Sequence, residues 1–442
     1  MLHSRSLAVL ALYCLGLARL PPLPAAAPGA GPGVSVRLVT TLAQLISVEE
    51  AQRIILERAK RLDAERVPIE RAAGRVLAEP VGALVDLPPF PSSAMDGYAV
   101  RAADTVSAPV RLPVVAGIAA GSPADRPLVA GEAMAISTGG AVPDGADAVI
   151  PLELVDEADE EIEIREPVNE SAHVRPRGSD VQAGELVLEP GVWLGPAQVA
   201  ALAAAGISEA QCTKRPRVGV LVTGSELRQP GEALGPGQIY ESNGLLLATA
   251  LQLAGAVPAQ LGVVADDADE HERAMERALL GFDMLITSGG VSVGPHDLVR
   301  EAQAKLRVEE LFWGVAVKPG KPVAFGVRRD HLVFNLPGNP VSVLVTFELF
   351  VRPAVNALLG LPDPLPEYRR GVLGAAVRRN PHREEYVRAV TRREDDAVVV
   401  DPLPGQESHM IARAGRADAL VAIDAGEGEI PAGEAIRYIS IG

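Results

Sequence analysis

Three glycine-containing segments, each following a short apolar run, are the first candidates for chemistry in this 442-residue sequence. They are Thr223-Gly224-Ser225-Glu226, Ser288-Gly289-Gly290-Val291-Ser292-Val293-Gly294-Pro295-His296-Asp297, and Leu336-Pro337-Gly338-Asn339-Pro340. Glycine lets a backbone approach a ligand closely, and exposed N–H groups in such loops bind anions. Any one of these segments alone is typical of an ordinary turn. Three of them at one predicted sheet edge favour a ligand-binding site.

Charged residues near these segments indicate which ligand they would hold. Lys318 and Lys321, two of only five lysines in the chain, flank a Pro-Gly turn and favour an anion site over ordinary surface charge. Glu226, Asp266 and Asp297 follow predicted strands of the same region. Carboxylates beside an anion site usually mean a bridging divalent cation, and oxygen ligands suit Mg²⁺.

The elements that must position these residues alternate between strand and helix from about residue 217. Apolar runs predict strands at 218–222, 261–264, 284–287, 312–317 and 332–335, and helices at 243–253, 270–280 and 340–355, with Ser242 and Asn339 as caps. This alternation predicts a doubly wound α/β domain with a parallel sheet. In such sheets ligands bind beyond the carboxyl ends of the strands, where the three glycine segments lie.

The rest of the chain has a β-type pattern apart from one capped helix. Ser47 and Glu50 form a capping box before a helix whose apolar residues recur as far as Leu62. Short β-type runs broken by Gly and Pro occupy about 82–190 and return after about 364. The first β-type region carries three polar loop strings: Met95-Asp96-Gly97-Tyr98, Thr138-Gly139-Gly140 and Arg177-Gly178-Ser179-Asp180.

Composition excludes several classes of partner. With a formal net charge of −16 and 3% aromatic residues, the chain is a poor electrostatic partner for nucleic acid, and it lacks a polybasic surface for membranes. Its two cysteines, Cys14 and Cys212, cannot form a disulfide framework or a thiolate-rich metal site. The net charge also poses a problem, because a strongly anionic protein would still have to hold anions in the predicted site.

The first 45 residues have two interpretations. Leu7–Ala18 is apolar, follows Arg5 and precedes the run Ala25–Ala27, as in a signal peptide, and it is too short for a transmembrane helix. Alternatively, the start codon is assigned too far upstream. We favour the second interpretation and expect the native N-terminus between about Gly33 and Leu45.

Five strings, taken together, resemble the molybdopterin molybdenumtransferase family, called MoeA in bacteria and represented in animals by the C-terminal part of gephyrin. In the order of the family they are SAMDGYAVR (93–101), TGSEL (223–227), SGGVSVG with Asp297, KPGKP (318–322) and LPGNPVS (336–342). The resemblance runs from about Ser47 to Gly442. No single string is specific, but five in order are hard to obtain by chance.

The resemblance implies a multidomain α/β plus β fold with a discontinuous organisation. After an extension at 1–45, a helix at 46–63 would pack on a MogA-like molybdopterin-binding α/β domain at 216–363. Segments 64–82 and 185–208 would form a linking domain, 83–184 a β-rich insertion and 364–442 a C-terminal β-barrel. The protein would be a homodimer whose cleft lies between the α/β domain of one subunit and the insertion of the other.

The resemblance also implies the reaction: Mg²⁺-dependent insertion of molybdate into adenylylated molybdopterin with release of AMP, the last general step of molybdenum cofactor biosynthesis. It implies a cytoplasmic enzyme that works with a molybdopterin adenylyltransferase and with the enzymes that accept the cofactor, and with neither nucleic acid nor membrane.

The functional positions of the family map onto this sequence residue by residue. The catalytic positions are Asp96, Thr138, Asp180, Glu226, Asp266 and Asp297, and the last three would also hold Mg²⁺, with Asp266 and Asp267 hard to tell apart. The positions that bind the pterin nucleotide are Thr223, Gly224, Ser225, Ser288, Gly289, Gly290, Ser292, Gly294, Lys318, Lys321, Pro337, Gly338, Asn339 and Pro340.

Three alternatives remain open from the sequence. A molybdopterin adenylyltransferase would share the α/β domain but would not need the insertion or the barrel. A non-catalytic molybdopterin-binding scaffold would not need the carboxylates and lysines. Gly290-Val-Ser292-Val-Gly294 also matches the nucleophile elbow of α/β-hydrolases, with His331 or His409 as base, although Pro295 follows where a helix should begin.

Overall fold

A computed structural model describes residues 45–264, 267–290 and 298–441. Several features discussed above lie outside the described residues: the N-terminal extension with its apolar segment Leu7–Ala18, Asp266, and Ser292, Gly294, Pro295 and Asp297 of the second glycine segment.

The chain begins with helix α1, Val48–Arg58, and enters the linking domain through strands β1, Ala64–Pro68, and β2, Val81–Gly82. The predicted cap is confirmed, because Ser47 Oγ accepts a 3.0 Å hydrogen bond from the Glu50 N–H. The helix ends at Arg58 rather than near Leu62. The backbone becomes extended at Ala59, and the Leu62 N–H donates to Leu358 O instead of continuing the helix.

The β-rich insertion follows as a single six-stranded sheet with two short flanking strands. Its strands are β3 Ser92–Ser93, β4 Gly97–Val100, β5 Val110–Ile118, β6 Ala133–Ile136, β7 Ala148–Pro151, β8 Val155–Ala158, β9 Glu161–Ile164 and β10 Val174–Arg175. The sheet order is β7-β4-β6-β5-β9-β8. Leu112 and Ile162 pack on one face and Met134 and Ile136 on the other, so both faces carry apolar core.

The linking domain is completed by strand β11 Leu186–Leu188, helix α2 Pro196–Ala204 and strand β12 Glu209–Thr213. Strand β1 pairs antiparallel with β12, and β2 with β11, so the two segments that flank the insertion form one unit. Cys212 is a free, buried thiol in the apolar cluster of Leu77, Leu194 and Leu202.

The α/β domain contains most of the long elements. Its strands are β13 Arg217–Thr223, β14 Leu227–Arg228, β15 Ile239–Tyr240, β16 Val257–Val264, β17 Met284–Ser288, β18 Glu309–Trp313, β19 Val317–Lys318, β20 Ala324–Arg328 and β21 His331–Leu336. Its helices are α3 Asn243–Leu253, α4 Ala268–Gly281, α5 Leu298–Lys305, α6 Pro340–Thr346 and α7 Arg352–Leu359, the last two joined by a π-turn at Phe347–Val351.

The main sheet of this domain is doubly wound, as predicted. Its order is β16-β13-β17-β21-β20-β18; the first four strands are parallel, and β20 and β18 extend the sheet antiparallel. Alternate residues of β13 face different cores, Val220 towards α3 and α7 and Leu221 towards α4 and α5. Both faces are therefore covered by helices, which is the requirement for a buried parallel sheet.

The predicted strand at 312–317 is wrong, because two strands replace it. Strand β18 ends at Trp313, and Gly314 has a φ of +88°, which turns the chain out of the sheet. Strand β19 then pairs with the C-terminal domain. Near the end of the domain, the continuous helix Pro340–Leu359 is long and apolar enough to cross a membrane, but 78% of its apolar 18-residue stretch is buried inside the protein. Phe347 and Phe350 pack in the α/β core, so this is a core helix.

The C-terminal domain is the expected β-barrel. Its elements are β22 Tyr368–Leu373, β23 Val377–Arg378, β24 Glu384–Glu394, β25 Ala397–Pro402, α8 Ile411–Ala414, β26 Ala419–Ile423, β27 Glu429–Ile430 and β28 Ala435–Ser440. Strands β24, β25, β22, β28 and β26 pair in that order, and β26 pairs back with β24, which closes the ring around Val387, Val400 and Val421.

Candidate active site

The parallel register brings the first and third glycine segments, and the described part of the second, residues 288–290, to one edge of the sheet. Val222 of β13 pairs with Ser288 of β17, and Ser288 pairs with Leu336 of β21. The segments that follow these residues border a cleft of about 580 Å³. The cleft is lined by Val222, Thr223, Gly224, Glu226, Leu227, Ile239, Tyr240, Glu241, Ser242, Asn243, Ser288, Gly289, Gly290, Gly338, Asn339, Pro340, His409 and Ile411. Ser225 and Pro337 lie in the same loops.

Glycine is required in this cleft because the loops nearly touch. Gly289 has a φ of +87°, and a Cβ at this position would lie 2.4 Å from Thr223 O. A Cβ at Gly224 would lie 2.7 Å from Glu226 Oε2, so the Glu226 carboxylate lies directly over this glycine. A side chain at Gly289 would meet the backbone of the neighbouring loop and push the two loops apart, whereas one at Gly224 would displace only the Glu226 carboxylate.

Asn243, the first residue of α3, holds two of the loops together. Its Nδ2 donates to Ser288 Oγ at 3.0 Å and to Gly338 O at 2.8 Å, and Ser288 Oγ donates in turn to Pro337 O at 3.2 Å. Asn243 Oδ1 is buried without a hydrogen-bond partner among the described residues. Asn243 is not among the site residues predicted from the sequence, since an asparagine at a helix start ordinarily indicates a cap or a turn.

The buried carboxylate of Glu241 was also not predicted from the sequence. Glu241 is only 5% exposed, and its Oε1 accepts a 2.7 Å hydrogen bond from the Gly244 N–H. The predicted cap Ser242 does occupy the N-cap position of α3, but its side chain makes no capping bond. Glu241 therefore caps the helix and adds a second carboxylate to the lining of the cleft.

The far side of Thr223 contacts a buried histidine. Thr223 Oγ1 lies 2.9 Å from His271 Nε2, and His271 Nδ1 lies 2.8 Å from Asp267 O. Asp267 is the N-cap of α4, and its carboxylate accepts from the Glu270 N–H at 2.9 Å. Asp267 thus already has a structural role, and Asp266 stays the predicted metal ligand of the pair.

The barrel contributes one wall of the cleft. His409 and Ile411 line it, Asn339 Nδ2 donates to Ser408 Oγ at 2.9 Å, and the Val341 N–H donates to Ser408 O at 3.1 Å. Pro340 is at the predicted first position of α6, but the Asn339 side chain bonds to the barrel and not to its own helix. The contact fixes the barrel against the third glycine segment.

The loop that carries Ser408 is hydrogen-bonded to Arg388, which is fully buried in β24. Its Nη2 donates to Gly405 O at 2.9 Å, and its backbone N–H donates to Gln406 Oε1 at 3.0 Å. Burial lowers the pKa of this guanidinium below its usual value. Arg388 belongs to none of the motifs in the sequence, so its burial in the barrel could not be predicted from them.

The two predicted lysines lie outside the lining of the cleft. Lys318 Nζ forms a 2.9 Å ion pair with Glu385 Oε1 of the barrel, and the Glu385 side chain is 9% exposed. Lys321 is exposed. The KPGKP segment therefore joins the α/β domain to the barrel, and anion binding by either lysine stays a prediction.

Two of the three predicted residues of the insertion are brought together. Asp96 carboxylate oxygen Oδ1 accepts a 2.8 Å hydrogen bond from the Thr138 N–H, and both residues are exposed. Asp180 lies on a separate exposed loop, where its N–H donates to Leu87 O. In the described part of the chain these three residues do not line the cleft of their own α/β domain.

The donor set of the cleft fits a hard cation such as Mg²⁺, because it offers carboxylate oxygens, those of Glu226 and Glu241, and no thiolate. Within residues 45–264, 267–290 and 298–441, no group of three or more potential metal ligands comes together. Two of the three predicted Mg²⁺ ligands, Asp266 and Asp297, fall outside those ranges.

The hydrolase alternative receives little support from the two histidines. His409 lines the cleft, but His331 begins β21 at the opposite edge of the sheet and places Nδ1 2.7 Å from Phe282 O. The proposed nucleophile Ser292 lies outside the described residues.

Comparison with known proteins identifies the domains. Residues 46–206 match the MoeA N-terminal region (domains I and II), 219–357 match a probable molybdopterin binding domain, and 370–441 match the MoeA C-terminal region (domain IV). These matches cover the two linking segments, the insertion, the domain that carries the cleft, and the barrel.

Relatives match over nearly their whole length. The chain is 39% identical to molybdopterin molybdenumtransferase 2 of Mycobacterium tuberculosis, over 88% of this chain and 98% of that protein. It is 33% identical to the molybdopterin molybdenumtransferase of Haemophilus influenzae, over 89% and 98%. The crystal structure of the molybdopterin biosynthesis MoeA protein from Pyrococcus horikoshii matches with a TM-score of 0.77 at 30% identity, over 90% of this chain and all of that one.

The fold and the cleft, with these matches, define a multidomain transferase of molybdenum cofactor biosynthesis. More specifically, the chain belongs to the MoeA family of molybdopterin molybdenumtransferases.

Proposed function

We propose that this enzyme inserts molybdate into adenylylated molybdopterin and releases AMP, in a reaction that requires Mg²⁺. The observation that carries the proposal is the cleft at the carboxyl edge of β13, β17 and β21, where glycine loops and two carboxylates meet in a domain of the molybdopterin-binding type. Such an edge is the usual ligand site of a doubly wound sheet.

The glycine loops would bind the pterin nucleotide. The backbone at Gly289 and Gly290 has positive φ values and lines the cleft, so a ligand can approach the main chain closely. Asn243 holds Ser288 and Gly338 in place, which keeps the two loops at a constant separation. This preorganisation would orient the dithiolene and the phosphate without rearrangement of the loops.

Glu226, with Asp266 and Asp297, would hold Mg²⁺, and Glu241 would add a further carboxylate to the lining that Glu226 shares. When bound, Mg²⁺ would neutralise the charge of the phosphate and of the departing AMP. The protein carries a net charge of −16, so its anionic substrates would be held by local groups: backbone N–H groups, a cation and, as the family resemblance implies, Lys318 and Lys321.

The insertion would complete the site from a second subunit of a homodimer. Asp96 and Thr138 form one hydrogen-bonded pair, and with Asp180 they are the exposed polar residues that the family resemblance assigns to catalysis. They do not line the cleft of their own chain within the described residues, which supports a site shared between subunits. The enzyme would act in the cytoplasm, between a molybdopterin adenylyltransferase and the enzymes that receive the cofactor.

The decisive experiment measures AMP release from adenylylated molybdopterin with Mg²⁺, with and without molybdate. We expect release that depends on both ions and yields a cofactor able to activate a molybdenum-free acceptor enzyme. Absence of AMP release with both ions present would refute the proposal. Formation of adenylylated molybdopterin from ATP would instead indicate an adenylyltransferase, and binding without either reaction would indicate a scaffold.

A further inference from the structure

A carboxylate with one free oxygen lies in the wall of the cleft. Glu241 is 5% exposed and lines the cleft, and its Oε1 accepts the Gly244 N–H at 2.7 Å. Its Oε2 makes no hydrogen bond in the described part of the chain. Asn243 Oδ1 is sealed from solvent, but Glu241 Oε2 is not, so a ligand in the cleft can reach it. A largely buried carboxylate oxygen of this kind requires a donor.

The backbone places this carboxylate at the end of an apolar face. Ile239 pairs with Leu227 in the parallel β14–β15 ladder, and the Glu241 N–H continues the ladder with a 2.8 Å bond to Arg228 O. Ile239 and Glu241 are two residues apart on extended backbone, so their side chains lie on the same side, together with that of Leu227. All three residues line the cleft, and Ile239 is 55% exposed. This face suits a flat ring whose edge meets a hydrogen-bond acceptor.

An anionic group is a poor ligand for this end of the cleft. The Gly244 N–H belongs to the first turn of α3, where an anion would otherwise bind, and Glu241 already occupies it. The same carboxylate would repel a phosphate or molybdate oxygen. A metal ion would need several oxygen ligands, and the neighbouring side chains on this face, Leu227 and Ile239, offer none. The partner that fits is an N–H donor at the edge of a flat ring.

We propose that Glu241 is a specificity-determining residue whose Oε2 accepts an N–H of the pterin, while the ring lies on Leu227 and Ile239. The inference rests on the proposed function and refines it. The pyrimidine edge of a pterin carries two neighbouring donors, the 2-amino group and a ring N–H, which suit a carboxylate. Adenine carries one amino group between ring nitrogens that only accept, and a carboxylate would repel their lone pairs. The pterin thus occupies the Glu241 end of the cleft, and its phosphate points to Gly289 and Gly290.

The test measures the dissociation constants of molybdopterin and of AMP by titration calorimetry, once with Mg²⁺ and once with EDTA in its place. Glu241→Gln keeps the shape of the side chain. Its amide oxygen can still accept from the Gly244 N–H, and its NH₂ group, which cannot accept, then replaces Oε2. Ser47→Ala is the control for a weakened helix cap, because Ser47 caps α1 and is not part of the lining of the cleft.

A second pair of variants tests the apolar face. Ile239→Ala removes most of the exposed side chain on which the ring would lie. Val257→Ala is its control, because Val257 is 46% exposed at the start of β16 and does not line the cleft.

We expect Glu241→Gln to weaken binding of molybdopterin about tenfold or more, the loss of a hydrogen bond to a charged group. The loss should be the same with Mg²⁺ and with EDTA, and binding of AMP should stay within about twofold of the wild type. Ile239→Ala should weaken binding of molybdopterin several-fold through lost apolar contact. Ser47→Ala and Val257→Ala should bind both ligands as the wild type does.

Unchanged binding of molybdopterin by Glu241→Gln would overturn the inference. A loss confined to the titrations with Mg²⁺ would overturn it as well, because Glu241 would then be a metal ligand, and so would an equal or larger loss for AMP, which would place adenine there. If Glu241→Gln does not fold, Ile239→Ala against Val257→Ala decides. Wild-type protein that does not bind molybdopterin would refute the proposed function and the inference with it, whereas wild-type binding with unaffected variants would refute the inference alone.

Discussion

Asn243 Nδ2 donates a 3.0 Å hydrogen bond to Ser288 Oγ, and this contact joins the first turn of α3 to the end of β17. The same nitrogen reaches Gly338 O, so a single amide spans two glycine loops. The orientation of the amide is unambiguous, because Gly338 O can only accept and Ser288 Oγ already donates to Pro337 O.

Replacement of Asn243 by Ala should therefore loosen both loops. We expect a loss of about 1–2 kcal/mol in unfolding free energy, from two hydrogen bonds, and a rise of several-fold in KM for the pterin substrate. Thermal unfolding and steady-state kinetics measure the two effects. Asn356→Ala is the matched control, because Asn356 Nδ2 donates to Pro364 O away from the cleft. A KM that rises equally in both variants would contradict a specific role for Asn243.

A site shared between subunits predicts complementation between inactive variants. Asp96→Ala and Glu226→Ala should each abolish turnover and keep the fold, because both side chains are exposed. When the two variants are unfolded and refolded together, half of the dimers should be mixed, and each mixed dimer should contain one intact site. Activity should then return to about a quarter of the wild-type value. No recovery, with mixed dimers verified by mass spectrometry, would place both residues in the site of one chain.

Gly289→Ala should distort the cleft, because the added Cβ would lie 2.4 Å from Thr223 O at a φ of +87°. We expect binding of molybdopterin to weaken by more than tenfold. Gly262→Ala is the control: Gly262 has a φ of +93° in β16, but a Cβ there would meet nothing within 4 Å. The control variant should lose only about 1 kcal/mol of stability from backbone strain. Calorimetric titration separates the two outcomes, and normal binding by Gly289→Ala would refute the close approach.

The position of the site at the sheet edge could be predicted from the sequence, but several side chains that support it could not. Thr223 and Ser288 end strands and Gly338 closely follows one. The carboxyl ends of parallel strands meet at one edge, so the pattern of strands sufficed to bring these residues together. Asn243 contacts Ser288, 45 residues away along the chain, and His271 contacts Thr223, 48 residues away. No local signature encodes such contacts, because they depend on how the helices pack on the sheet.

Predictions from local sequence also failed where tertiary contacts compete with local ones. Asn339 is at a helix N-cap, as its type and the following proline predict, yet its amide bonds to Ser408 of the barrel. The run at 312–317 is apolar enough for one strand, but Gly314 turns the chain towards the barrel. In both cases the barrel, which lies far along the sequence, offers the competing partner.

Asp86 should stabilise the insertion, close to its boundary with the linking domain, in a pH-dependent way. Its carboxylate accepts from the Ala183 N–H and pairs with Arg177, and these bonds hold its pKa below the usual value. A lowered pKa in the folded state gives stability that is present above the unfolded pKa, near 4, and is lost as the pH falls through the folded pKa. Asp86→Asn should therefore melt below the wild type at pH 7, with a difference that narrows below about pH 4. Thermal unfolding measures both melting temperatures, and a difference that is equal at pH 7 and below pH 4 would contradict this role of Asp86.

Glu384 should show the opposite dependence. Burial raises the pKa of this carboxyl above its usual value, although Tyr386 Oη donates to it at 2.7 Å. An acid whose pKa is raised in the folded state favours folding while it is protonated, and that contribution is lost as the pH rises from the unfolded pKa through the folded one. Glu384→Gln keeps an acceptor for Tyr386 and cannot ionise, so it escapes this loss. We expect the variant to melt above the wild type at pH 8 and close to it at pH 4, measured by differential scanning calorimetry. A variant less stable than the wild type at pH 8 would show that the Tyr386 bond to a charged carboxylate outweighs the cost of burying it.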